Sequence, residues 1–158
     1  MSSIRKKASE GLEIGDTFSV QRTFTEKDVC KFAEISRDYN PVHFNEEFAS
    51  VKKFDGCISH GLLVGSLITE IGGQIGWLAS GMSFNFKKPV YFGDTINCHL
   101  TIVDIDEKGR ARAEAILTNE KNMVILEAEL TGIVPGEKEK KVLKDMLTEG
   151  DPTNKFKG

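Results

Sequence analysis

The stretch 61–78 limits what this chain can fold into more than any other. It carries Leu62, Leu63, Val64, Leu67, Ile68, Ile71, Ile75, Trp77 and Leu78 with few polar residues between them. A helix built from it is apolar on nearly every side and belongs in an interior. Glu70 interrupts the run, which is also too short to cross a bilayer. Gly65, Gly72, Gly73 and Gly76 each cost about 1 kcal/mol of helix propensity relative to Ala. That cost is tolerated where something must come very close, and the expected neighbour is the backbone of a sheet wrapped around the helix.

The rest of the chain reads as that sheet. Phe18, Val20, Arg22 and Phe24 alternate with polar residues over 16–24, and Met82, Phe84 and Phe86 alternate over 81–88. Ile96, Cys98, Leu100 and Ile102 mark a strand over 95–106, Ala113 and Ala115 one over 111–117, and a further apolar-rich strand covers 123–134. Short turns around Gly93, Gly109 and Asn119 make these strands antiparallel neighbours. The small side chains of Ala111, Ala113 and Ala115 leave room for a closely packed helix. Thr25 caps a helix over 26–36, with Glu26 and Asp28 in its first turn, and Asn45 caps a short one over 46–49. The reading is an α+β protein with one domain over 1–136 and a polar segment over 137–158. That segment holds one weak helical stripe, and beyond Glu149 it reads as a disordered tail or a partner contact.

Charge and cysteine content exclude some functions. A net charge of −3 gives no bulk attraction to nucleic acid, so an anionic ligand needs a local basic patch. Cys30, Cys57 and Cys98 are an odd set without metal-ligand spacing, which fits reduced thiols in the cytoplasm. Arg5, Lys6 and Lys7 lack a following apolar stretch, so no secretory signal is expected there.

Candidate chemistry sits just ahead of the apolar helix. In Asp38-Tyr39-Asn40-Pro41-Val42-His43 an acid and an imidazole stand five residues apart across an Asn-Pro step. Pro41 fixes its own φ and pushes Asn40 out of helical space, so the loop is stiff. Two groups that share one water must be held this way. Asp and Asn before Pro are also ordinary turn formers, and a single His is more often packed or exposed than catalytic.

Ser36 to His43, then Ala49, Phe54 and Ile58-Ser59-His60-Gly61-Leu62-Leu63, resemble the signature of the MaoC-like (R)-specific enoyl-CoA hydratases. Phe86-Lys87-Lys88-Pro89-Val90-Tyr91-Phe92-Gly93-Asp94 resembles the Pro-Val and Gly-Asp turn of the same family, and the match spans about 16–134. Arg37 stands where the family often has Gly, and Asn45 where Asp is frequent.

The resemblance implies a hot-dog fold, an antiparallel sheet wrapped around a long central helix, in a homodimer or a higher homo-oligomer. It implies reversible syn hydration of a trans-2-enoyl-CoA to the (R)-3-hydroxyacyl-CoA, with Asp38 and His43 as the catalytic pair. The Gly61 amide would hold the thioester oxygen, and no metal or other cofactor is needed. The acyl chain is expected along the helix near Leu63, Leu67 and Thr69, with Asn40 counted among the substrate-binding residues. Lys87, Lys88 and Arg37 are candidates for the phosphates of coenzyme A. His60 is expected to support the loop. The alternatives are a 3-hydroxyacyl-ACP dehydratase of fatty acid synthesis with the same pair, and a non-catalytic acyl-thioester-binding protein.

Overall fold

The computed structural model describes residues 3–151 and 153. In chain order the elements are α1 (Ser3–Glu10), β1 (Thr17–Thr23), α2 (Glu26–Ser36), a 3-10 turn (Pro41–His43) and α3 (Glu46–Val51). They continue with α4 (Gly61–Ile75), β2 (Leu78–Phe86), β3 (Thr95–Ile105), β4 (Arg110–Thr118), β5 (Val124–Ile133) and α5 (Glu137–Glu149). The five strands form one sheet in the order β1-β3-β4-β5-β2, with every neighbour antiparallel. The first two strands in sequence are therefore its edges.

Local chemistry accounts for the element ends. Thr25 and Asp28 form a reciprocal capping box at the start of α2. Gly76, at φ 79°, ends α4 in the left-handed conformation that favours glycine. The Asp106 carboxylate accepts from the Lys108 and Arg110 amides and shapes the β3–β4 turn, and Asn119 does the same for Lys121 and Met123 between β4 and β5. Alternate residues of β3 and β4 then turn inward: Ile96, Cys98, Leu100 and Ile102 on one, and Ala111, Ala113, Ala115 and Leu117 on the other.

Val64, Leu67, Ile68, Ile71 and Ile75 of α4 meet this face and are at most 2% exposed. Each contributes about 1.5–3 kcal/mol by leaving water. Helix α4 is not enclosed all round. Leu62, Thr69 and Gly73 face solvent, because one sheet covers one side of a helix. The helix also stops at Ile75, and β2 takes over at Leu78, earlier than the apolar run suggested.

The expected close approach of another backbone is replaced by aromatic rings. A Cβ on Gly61 would lie 2.6 Å from a Phe86 ring carbon, and one on Gly65 would lie 3.2 Å from Phe84. Two glycines one turn apart on α4 receive two rings that alternate along β2. Nothing comes within 4 Å of the Cβ position of Gly73.

Helix α1 had no counterpart in the sequence reading. It buries Ile4 and Ala8, and Arg5 donates to the carbonyls of Gly73 and Gln74 at the C-terminal end of α4, where the helix dipole favours a cation. Arg5 also pairs with Asp151. The expected disorder after Glu149 concerns mostly residues outside those described. The three cysteines are unpaired, and burial pushes the Cys98 thiol up to about 12. Among the described residues, no helix is long and apolar enough to cross a membrane.

Candidate active site

The site begins where α2 ends. Arg37 adopts φ 58° and ψ 22° and donates its amide to Ala33 O, which reverses the chain and delivers Asp38. The Asp38 carboxylate accepts from the Asn40 amide at 3.1 Å, and the Asn40 side chain accepts from the Val42 amide at 3.2 Å. Pro41 opens the 3-10 turn that ends at His43. Asn40 thus acts as the cap of that turn.

His43 is 7% exposed, and its Nδ1 lies 2.7 Å from the Ile58 carbonyl. A carbonyl only accepts, so Nδ1 carries the hydrogen and Nε2 presents its lone pair. That Nε2 is 3.9 Å from Asp38 Oδ2, whose side chain is half exposed. Burial pushes the His43 imidazole below its ordinary 6.5. The adjacent His60 acts in the same direction, while the Ile58 bond and the Asp38 carboxylate oppose it.

The second motif braces the wall. The Ser59 amide donates to Val90 O, and Ile58 bridges to Tyr91. The Asp94 carboxylate accepts from the Tyr91 amide. Gly93, at φ 92°, makes the turn that returns the chain to Phe24.

A cavity of about 360 Å³ opens between these segments. His43, Ser59 and Gly61 line one part of it, and Lys87 and Lys88 another. Phe54, Val64, Phe86, Ile125 and Leu126 make its apolar wall. Gly61 is the first residue of α4, so its N–H has no acceptor within the helix. The preceding His60 makes no side-chain cap. A bare amide at a positive helix end is a ready donor for a developing oxyanion.

The expected acyl wall does not coincide with the lining of this cavity. Leu67 is buried in the core, Leu63 packs against that core, and the Thr69 hydroxyl is exposed and donates to Ser66 O. None of the three lines the cavity, and neither does Asn40. Lys87 lies 3.4 Å from Glu127, whereas Lys88 makes no ion pair among the described residues. Phe54, Val64 and Phe86, of which the first and last stand in the two motifs without an expected role, line the cavity instead. The pairing of Phe84 and Phe86 with glycines four apart was the available signal for the last.

Asp38, His43 and His60 offer three potential metal-ligand atoms within 4.8 Å of one another. Two of the four imidazole nitrogens are already bonded to carbonyls. Bonds of about 2.1 Å to a tetrahedral ion need ligands roughly 3.4 Å apart, so a metal would have to pull these groups from their present places.

Residues 12–125 match a family model described as MaoC like domain. The chain is 33% identical over 135 residues to a 3-hydroxybutyryl-CoA dehydratase of Methylorubrum extorquens, with 82% of this chain and 85% of that one covered. It is 31% identical over 130 residues to a mitochondrial 3-hydroxyacyl-[acyl-carrier-protein] dehydratase of Arabidopsis thaliana, with 78% of each covered. Among solved structures it resembles the (R)-hydratase from A. caviae involved in PHA biosynthesis. That match has a TM-score of 0.75 and 28% identity, and covers 80% of this chain and 99% of the other. The fold is the hot-dog fold.

Proposed function

The chain belongs to the MaoC-like domain family, and on that premise we propose that it is a hydro-lyase adding water reversibly to trans-2-enoyl-CoA to give (R)-3-hydroxyacyl-CoA. The observation that carries this reading is the 3.9 Å approach of the Asp38 carboxylate to the bare His43 Nε2, with His43 on the wall of a cavity that also reaches Gly61. Both atoms are acceptors. A water about 2.8 Å from each can donate one hydrogen to the carboxylate and one to the imidazole.

In this reading the thioester carbonyl accepts from the Gly61 amide, so negative charge can build there as the water oxygen bonds to carbon 3. Asp38 orients the water, and the proton that leaves it is returned to carbon 2 of the same face. His43 Nε2 begins without a hydrogen, so any proton it gives to carbon 2 must first come from that water. Lys87 and Lys88 at the cavity rim suit the anionic end of the carrier. A second hollow sharing Lys88, Pro89 and Ile125 extends to Lys121, which offers a path for a long carrier arm.

The similarity to an acyl-carrier-protein dehydratase favours that carrier as the second reading. The proposed assembly is a homodimer joined along β2, an edge strand whose Leu78, Met82 and Phe86 are 71%, 41% and 56% exposed. The proposed compartment is the cytoplasm, where unpaired thiols persist.

The test is to follow loss of the enoyl-thioester absorbance of crotonyl-CoA and to determine the handedness of the alcohol. Asp38→Asn and His43→Ala should each lower kcat by about 10²–10⁴-fold, the usual contribution of general acid–base catalysis. An (S) product, or no turnover on either carrier, refutes the assignment.

A further inference from the structure

His60 touches both reagents of the proposed reaction without being one of them. It is 2% exposed and immediately precedes α4. Its Nε2 lies 2.9 Å from the main-chain oxygen of Asp38, so Nε2 carries the hydrogen. Its ring lies 3.8 Å from the His43 ring at 31°, and Phe32 packs 4.9 Å away.

The residue is poorly explained as mere filling. Its Nδ1 is buried with no hydrogen-bond partner, which is unfavourable in a dry interior and would be avoided by Phe or Leu. It does not cap α4. What an imidazole supplies here is a flat face for His43 together with a donor for Asp38. The Asp38 backbone needs such a hold. It follows a left-handed Arg37, its amide bond to Ser36 Oγ is long at 3.2 Å, and its side chain is half exposed.

We propose that His60 is a positioning residue. It ties the main chain of Asp38 to the face of His43, so that carboxylate and Nε2 stay close enough to share one water. The two rings hold opposite tautomers, Nδ1–H on His43 and Nε2–H on His60. The role deepens the hydratase reading and rests on it.

The discriminating pair of variants is His60→Phe, which keeps a ring between Phe32 and His43 but removes the donor, and His60→Gln, whose amide can reach the Asp38 carbonyl. A displacement of about 1 Å at the reacting groups costs on the order of 10²-fold in rate. His60→Phe should therefore lower kcat by about 10–100-fold while KM moves less than about 3-fold, and His60→Gln should recover kcat to within about 5-fold of wild type. Thermal melts establish that each variant is folded. If His60→Phe is not, His60→Asn takes its place, because its shorter amide mimics Nδ1 and misses the carbonyl.

Long-range ¹H–¹⁵N spectra supply a readout independent of turnover, since the chain has three histidines. They should show His60 as the Nε2–H tautomer and His43 as Nδ1–H. Active wild-type protein with folded His60→Phe at full kcat overturns this role alone, as does the Nδ1–H tautomer at His60. Wild-type protein inactive on both carriers overturns the hydratase reading and this role with it.

Discussion

Gly61→Ala separates the structural from the chemical duty of the residue that heads α4. The added Cβ would stand 2.6, 2.8 and 3.0 Å from three ring carbons of Phe86, where ordinary carbon contacts are about 3.5–4.0 Å. The ring must retreat by roughly 1 Å. Overpacking costs about 1–3 kcal/mol, and Phe86 belongs at the low end because the atoms met are ring carbons Cε1, Cζ and Cδ1 of a side chain that can turn about its own bonds, not backbone. Part of the roughly 1 kcal/mol by which Ala exceeds Gly in a helix offsets this. The net loss is therefore about 0–1 kcal/mol, a fall in Tm of at most about 4 °C for a chain of this size. Turnover should suffer more, because the new methyl and the displaced ring crowd the donor at the cavity wall. A loss of about 10²-fold in kcat/KM is expected from misplacement on this scale.

Urea melts and crotonyl-CoA kinetics on Gly61→Ala, Phe86→Ala and the double variant form a cycle. The two changes should couple favourably by about 1 kcal/mol in stability, since trimming the ring removes the clash. Gly65→Ala is the control. Its Cβ meets Phe84 at 3.2 Å, one turn from the donor, so it should shift the melt with little change in kcat. Additive stabilities would show that Phe86 does not rest on Gly61. Unchanged kcat/KM in Gly61→Ala would show that this end of the helix takes no part in the chemistry.

Two further predictions concern the neighbouring loop. Burial holds His43 below 6.5, so between its folded value and 6.5 the unfolded chain binds more protons, and stability rises with pH through that window and flattens above it. Urea midpoints from pH 5 to 8 should show this rise, and His43→Gln should remove most of it; an identical slope in the variant refutes the assignment. Arg37→Gly relieves a left-handed residue worth about 1–2 kcal/mol, less the entropy a glycine adds to the unfolded chain. The expected gain is up to about 1 kcal/mol, a Tm rise of roughly 2–4 °C. A lower Tm would show that Arg37 makes compensating contacts.

Features that depend on residues a few positions apart were legible from the chain alone. Thr25 with Asp28, and Asn45, mark helix starts through bonds made within one turn. The alternation in β3 and β4 gives the buried face directly, because side chains on a strand change sides at every residue. The Asp38–His43 loop is readable for the same reason: its proline and its Asx bonds span two residues each. Helix α1 escaped because a short polar segment forms a helix only where Ile4, Arg5 and Ala8 find the end of α4, information its own sequence does not carry.

The order of strands, the wall of the cavity and the hold on the reagents were decided by the tertiary structure. Nothing local says that β2 pairs with β5 and leaves its other edge open, or that Val64 faces the cavity while Leu67 turns into the core. His60 lies 22 residues from the carbonyl it binds, and Phe86 packs on a glycine from a different element. Backbone geometry repeats with a short period, so a sequence can state which groups share a face. Which faces then meet is settled only when distant segments exclude water together, and the distances that chemistry needs are fixed at that stage.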